Sequence, residues 1–373
     1  MLKENQIPSV VHVANGLGGG TGSVIETLSE YQLRAGLDVC CYFPQGTEFG
    51  RKPRNVPWLT SSQRHIPGGY MLAGVPLSRS IKQRLRSHFP ALFHYHGIAA
   101  LGCFGSSSFP SVCTIHGVSK IASLSPLRKR LIRSAFKRNV VFTAVDNSTS
   151  DYFLHEYGIA PIVIPNGLPD SLPQASPEVG PIRNGRKHVL FLGDFSELKG
   201  YHYVLKAAEL LKDRKDFDFL FAGSADENEL AYFHGFVQKF SLDDSVFFLG
   251  MVDNAGTALV PYVDAIVLPS RTEGLPMVLL ESLRAGIPIL ATNVGGIPSI
   301  LCDGQNGFFV QRSGEDIANK ILALFSDGKR YQNFCRASRK LYVDTYQLAN
   351  ISNAYMKVYR HAIESFYSEM ERF

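Results

Sequence analysis

From Glu273 to Glu281 the chain reads Glu-Gly-Leu-Pro-Met-Val-Leu-Leu-Glu, two carboxylates flanking a glycine and a proline. The run follows an apolar strand, Ala265 to Leu268, and open parallel sheets take their ligands beyond the carboxyl ends of strands. Gly274 lets the backbone approach a ligand closely, and Pro276 suits the first turn of a helix, where its missing N–H needs no partner. The remaining N–H groups of that turn, with the positive end of the helix dipole, form a seat for phosphate. Glu273 stands just before this seat and Glu281 inside the helix, where each can accept hydrogen bonds from sugar or ribose hydroxyls. Taken singly, Glu273 also fits a charge that stabilises the helix dipole, and Glu281 a solvated surface residue. Their combination with Gly274, Leu275, Pro276 and Met277 points instead to a nucleotide-sugar site.

Three further segments carry chemistry. Gly193-Asp194-Phe195-Ser196-Glu197-Leu198-Lys199-Gly200 also lies at a strand end and brings one lysine into a glycine-bounded loop. Lys199 reads either as a ligand-binding cation or as an exposed loop lysine. The loop Gly16 to Gly22, with Gly18 and Gly19 at its centre, joins a strand to a helix; glycines there allow close approach to a phosphate, or serve packing alone. His116, in Thr114-Ile115-His116-Gly117, stands at a strand end, as does His96 before Gly97, and such a histidine is either structural or catalytic.

The Glu273 to Glu281 segment resembles the EX7E motif of retaining glycosyltransferases with the GT-B fold, most closely glycosyltransferase family 4. The likeness covers most of residues 188 to 312 and extends to Ala291-Thr292-Asn293-Val294-Gly295-Gly296-Ile297-Pro298 and Asp303-Gly304-Gln305-Asn306-Gly307. It implies that Glu273 contacts the donor sugar, Glu281 the ribose and Lys199 the donor diphosphate, and that His116 lies near the sugar. His116, Lys199 and Glu273 are thus the catalytic candidates. Gly18, Gly19, Asp194, Lys199, Glu273, Gly274, Leu275, Pro276, Met277 and Glu281 are the candidates for holding the donor. The family usually carries Arg where this chain has Asp194, so an anion replaces a cation and the phosphate contacts fall on Lys199 and the helix N-terminus. The resemblance further implies transfer of a hexose or N-acetylhexosamine with retention, from a nucleotide-sugar, UDP-sugar favoured. A glycan or lipid-linked glycan of cell-surface polysaccharide or glycoconjugate synthesis is the expected acceptor. Neither a cofactor nor a metal is expected. A non-catalytic sugar-nucleotide-binding homologue and a nucleotide-sugar epimerase are the alternatives.

The elements that must position these residues alternate throughout the chain, short β-branched or aromatic runs with longer amphipathic ones, which is the pattern of α/β folds with parallel sheets. Strands are expected at Val10 to Ala14, Val39 to Phe43, Leu92 to Tyr95, Ser111 to Ile115 and Val140 to Ala144. A second series starts at His188, after the proline-bearing linker Ser171 to Gly185. Two Rossmann-like domains facing each other across a cleft follow from this: an acceptor-binding one over residues 1–170 and a nucleotide-sugar-binding one over 171–350. Residues 351–373 form a helix that, by the resemblance, crosses back to the first.

The chain has 373 residues, enough for two cores, and at 45% apolar and 19% charged it is an ordinary globular protein. Its net charge of +5 is uneven: residues 1–170 carry an excess of eight positive charges and the rest an excess of three negative. The first half therefore suits an anionic partner. Six of the thirteen residues from Pro126 to Arg138 are basic, with apolar residues at helical spacing. They form either a solvated surface helix or one that rests on an anionic membrane and brings the site to a lipid-linked acceptor. No nucleic-acid partner is expected. The six cysteines show no CxxC pair, which reads as buried free thiols in a reducing compartment. The polar start lacks a signal-peptide pattern, so the protein is expected in the cytoplasm, with peripheral contact at the inner membrane face as the variant of that reading.

Overall fold

The computed structural model describes residues 9–14, 19–45, 56, 58–64, 91–97, 109–117, 126, 129–130, 140–171, 182 and 185–370. These fall into two compact units, Met1–Pro169 with Leu348–Phe373, and Asp170–Gln347.

In the first unit the strands are β1 (Ser9–Ala14), β2 (Val39–Gln45), β3 (Trp58–Arg64), β4 (Ala91–His96), β5 (Ser111–Ile115), β6 (Val140–Ala144) and β7 (Ile162–Val163). They form one parallel sheet in the order β3-β2-β1-β4-β5-β6-β7. Side chains alternate across it. Val11, Val13, Phe93, Tyr95 and Cys113 join the core on one face, with Phe153 and Tyr157 of a helix over Asn147–Tyr157. Val10, Ala14, Leu92 and Val112 turn to the other face, under α1 (Gly19–Arg34). The chain's last helix, Leu348–Met370, covers the same face with Ile351, Tyr355, Val358, Tyr359, Ala362 and Ile363. It belongs to the first unit from its first residue, where the Leu348 N–H donates to the Leu168 carbonyl at 2.8 Å.

The second unit repeats the plan with β8 (Lys187–Leu192), β9 (Phe217–Ala222), β10 (Val246–Gly250), β11 (Ala265–Leu268), β12 (Ile289–Ala291) and β13 (Gly307–Phe309). Its parallel order is β10-β9-β8-β11-β12-β13. Phe191, Phe217, Phe219, Phe221 and Phe233 dominate the core. In both sheets the strand order reverses beside the first strand, between β1 and β4 and between β8 and β11, and each reversal opens a crevice at the strands' carboxyl ends.

Several expectations need correction. The helix after the glycine-rich turn begins at Gly19 rather than near Ser23. β3 lies inside a Pro/Gly/Arg-rich stretch that carries no strand pattern, and β13 inside a run of turn residues. Gly18 and most of the linker and of residues 126–138 lie outside the described residues; Lys129 there forms an ion pair with Glu156. Of the described cysteines, Cys41 and Cys113 are buried but Cys302 is exposed, and none forms a disulfide.

Gly167 is pinned where the chain leaves the first unit. A Cβ there would lie 2.6 Å from Ile351 Cγ1 and 3.2 Å from Leu348 Cα. Gly167→Ala should therefore cost about 1–3 kcal/mol of stability by overpacking, read as a lower denaturation midpoint; an unchanged midpoint would contradict this packing.

Candidate functional site at the second switch point

The loops that leave β8 and β11 are locked together before any side chain contributes. The Arg271 N–H donates to the Leu198 carbonyl at 2.7 Å. Gly200 adopts φ 72°, and a Cβ on it would lie 2.6 Å from the Pro269 carbonyl oxygen, so only glycine lets the first loop pass this close to the second. A third loop, after β12, closes over them. The Gly296 N–H donates to the Gly274 carbonyl at 2.9 Å, and the Thr292 hydroxyl to the Ser270 carbonyl at 2.6 Å.

This frame brings Lys199 to Glu273. The ammonium Nζ lies 2.6 Å from Glu273 Oε1, and the Ser270 hydroxyl donates to the same oxygen at 2.6 Å. The Glu273 side chain is only 9% exposed and that of Lys199 28%, so the pair is held in a partly dry pocket where charge interactions are stronger than in bulk water. The helix Met277–Ala285 starts two residues after buried Leu275. Pro276 is its cap residue, with extended ψ of 124°, rather than a member of its first turn, and no side chain caps the helix. The Leu279 N–H donates to the Pro276 carbonyl at 3.1 Å, which leaves the N–H groups of Met277 and Val278 at the helix start to face an anion.

Glu281 lies on this helix against a short turn, Ala255–Ala258. A Cβ at Gly256 would stand 2.1 Å from its carboxyl carbon, and Arg284 donates to the Gly256 carbonyl at 2.7 Å. Burial pushes the Glu281 carboxyl up to about 7, against the opposing pull of Arg284. It is thus neither a solvated surface residue nor fully ionised near neutrality.

Asp194 accepts a hydrogen bond from the Ser224 hydroxyl at 2.6 Å, at the end of β9, while Lys199 goes to Glu273. The anion that departs from the family pattern is thereby held on a neighbouring strand end. The chain's Asp-x-Asp, Asp216-Phe217-Asp218, lies at the opposite, amino end of β9. There Asp216 pairs with Arg214 and Asp218 with Arg186 at 2.7 Å, so both carboxylates serve structure.

In the first unit Gly19 opens α1, and His116 follows β5 with its Nε2 3.2 Å from His96 Nδ1. His116 is in a different unit from Lys199 and Glu273. Sequence reasoning gave no role to Ser270, to Gly256 or to Thr292, although Thr292 lies in the run from Ala291 to Pro298 that carries part of the family likeness. It also missed His12 and His94, whose one signal is a polar residue at every second position of an apolar strand.

The chain matches two family models. The model for glycosyl transferases group 1 covers residues 174–341 and that for Glycosyltransferase Family 4 covers residues 18–172. An uncharacterized glycosyltransferase of Methanocaldococcus jannaschii is 28% identical over 186 residues, 49% of this chain and 47% of the relative, so the match spans about half of that protein. An uncharacterized protein in the cps region of Klebsiella pneumoniae is 23% identical over 94% of this chain and 99% of its own length. Among solved structures, Anabaena HepE in complex with UDP superposes with a TM-score of 0.77 at 18% identity, covering 94% of this chain and 99% of that one.

The raised Glu281 carboxyl has a consequence for stability. Its folded form keeps the proton up to about pH 7, whereas the unfolded chain releases it near 4.5, so folding loses support as pH rises through that window. Glu281→Gln removes the titration. Its unfolding midpoint should gain on that of the wild type between about pH 4.5 and 7 and keep a constant lead above; a constant difference across that range would contradict the burial.

Proposed function

The chain belongs to the GT-B glycosyltransferases of family 4, and on that premise we propose that it moves a hexose or N-acetylhexosamine from a nucleotide-sugar, UDP-sugar favoured, to a glycan or lipid-linked glycan with retention of configuration. The observation that carries this reading is the Lys199–Glu273 pair beside the uncapped start of the helix Met277–Ala285. A cation, a carboxylate and unpaired backbone donors at one strand end are what a sugar diphosphate asks of a site. The HepE structures of Anabaena with UDP and with UDP-glucose support a uridine donor by analogy.

In this reading the donor diphosphate sits at the helix N-terminus and draws Lys199 from Glu273. The freed carboxylate accepts hydrogen bonds from the donor sugar, and Glu281 from the ribose. Gly274, Leu275, Pro276 and Met277 supply the backbone of the seat. The bond from C1 to the acceptor oxygen forms on the face from which the C1–phosphate bond breaks. The acceptor proton passes to a leaving phosphate oxygen, so no separate base is needed. Lys199 and the helix N–H groups stabilise the charge that develops on the departing nucleotide. The first unit takes the acceptor. Its positive excess, including residues 126–138, suits a lipid-linked acceptor at an anionic membrane surface.

Asp194, bound to Ser224, favours one second reading, a homologue that binds nucleotide-sugar without transfer. Nucleotide release with a panel of nucleotide-sugars and lipid-linked glycans separates the two. The wild type should release nucleotide only with an acceptor and form a glycoside, and Lys199→Ala and Glu273→Ala should each lose roughly 100-fold or more in kcat/KM. Activity should persist in EDTA. Release without acceptor or product, or a strict need for Mg²⁺, would sink the proposal.

A further inference from the structure

Gly256 stands where any other residue would collide with Glu281. It is buried in the short turn Ala255–Ala258, which packs against the helix Met277–Ala285. A Cβ on it would lie 2.1 Å from Glu281 Cδ, 2.2 Å from Oε1 and 2.6 Å from Oε2. The Glu281 carboxyl thus fills the volume that a side chain at position 256 would take. The turn itself does not call for glycine. Gly256 is absent from the glycines with left-handed φ, and glycine is a poorer helix former than alanine. Room for the carboxyl is what glycine provides here.

Two further features mark the carboxyl as a group held for a ligand. Arg284, one turn along the helix and only 3% exposed, donates to the Gly256 carbonyl at 2.7 Å and so fixes the turn against which Glu281 lies. In addition, no hydrogen bond reaches the Glu281 carboxyl among the described residues; burial and the charge of Arg284 are the influences on it. Glu273, by contrast, accepts from both Lys199 and Ser270. A carboxyl drawn out of water with its acceptor capacity unused is destabilising by itself, and a pair of hydroxyls relieves it. The residue as a whole is half-buried, which leaves it open to such a ligand.

We propose that Gly256 is a specificity-determining position for the donor's ribose: it gives the Glu281 carboxyl a fixed place beside the turn, where the vicinal 2′ and 3′ hydroxyls donate to it, so that a ribonucleotide is taken in preference to its deoxy form. The use of the carboxyl rests on the transferase reading, and its placement rests on the packing against Gly256. A group whose position is set before binding loses little freedom when the ribose arrives, and the preference follows from that preorganisation.

Gly256→Ala tests this cleanly, because the atoms it displaces are the far end of a flexible side chain and the backbone need not move. The measurement is titration calorimetry of the full chain with UDP, GDP and ADP and with the 2′,3′-dideoxy form of each. The wild type should bind its preferred ribonucleotide roughly 10- to 100-fold more tightly than the dideoxy analogue, which leaves a buried acceptor unpaired. Gly256→Ala should lose most of that ratio by weakening the ribonucleotide, with the dideoxy analogue near its wild-type affinity. In the transfer assay the donor KM should rise by the same factor with kcat little changed, since the ribose is remote from the bond that breaks. The displaced carboxyl also regains water, so the stability that the wild type loses between about pH 4.5 and 7 should be largely retained in Gly256→Ala.

An undiminished ratio in Gly256→Ala, or equal weakening of both forms, would overturn the proposal, as would a wild type that binds the two forms alike. A wild type that binds none of the three nucleotides would overturn the transferase reading instead, and the pH dependence of the two proteins would still show whether Gly256 houses the carboxyl.

Discussion

The ion pair between Lys199 and Glu273 joins the two crossovers that leave the second sheet in opposite directions, and the rest of the candidate site is arranged around it. Its 2.6 Å contact requires the loops after β8 and β11 to touch, which only the glycine at position 200 permits. The pair also meets a physical need of its surroundings. A carboxylate that is only 9% exposed is costly unless paired, and under the proposed function Lys199 keeps a neutralising partner until a diphosphate arrives. Each charge stabilises the other and can be exchanged for a ligand group of the same sign, so binding can proceed without leaving a buried charge alone.

The two units share one strand order and use its reversal differently. In the second, charge and backbone N–H groups collect at the crevice. In the first, the same position is filled by neutral imidazoles, ordered by a glutamine of α1 and a tyrosine of the last helix. That helix is the end of the chain in sequence but part of the first unit's core in space, so Tyr359 and Tyr355 complete a polar file that begins near the N-terminus.

What could be read from the residues followed local rules. Apolar runs at strand length located most strands, and a glycine and a proline between carboxylates marked the start of the helix Met277–Ala285. β3 and β13 were hidden because turn residues flank both and β13 is short, the strand state of each being completed by a neighbouring ladder. The placement of Asp194 depends on Ser224, thirty residues further along, which no local pattern names. Asp216-Phe217-Asp218 has the spacing of a metal site, yet it lies at the amino end of a strand and is spent on arginines. His12 and His94 escaped notice because alternation in an apolar strand marks which face a residue takes, while their partners come from α1, β4, β5 and the last helix.

The most direct test of the central claim is a crystal structure of the full chain with whichever nucleotide-sugar raises its melting temperature most. The account predicts the diphosphate against the first turn of Met277–Ala285, with Lys199 Nζ moved from Glu273 to a phosphate oxygen and a sugar hydroxyl on the Glu273 carboxylate. A nucleotide-sugar bound elsewhere, with the Lys199–Glu273 contact unchanged, would contradict it.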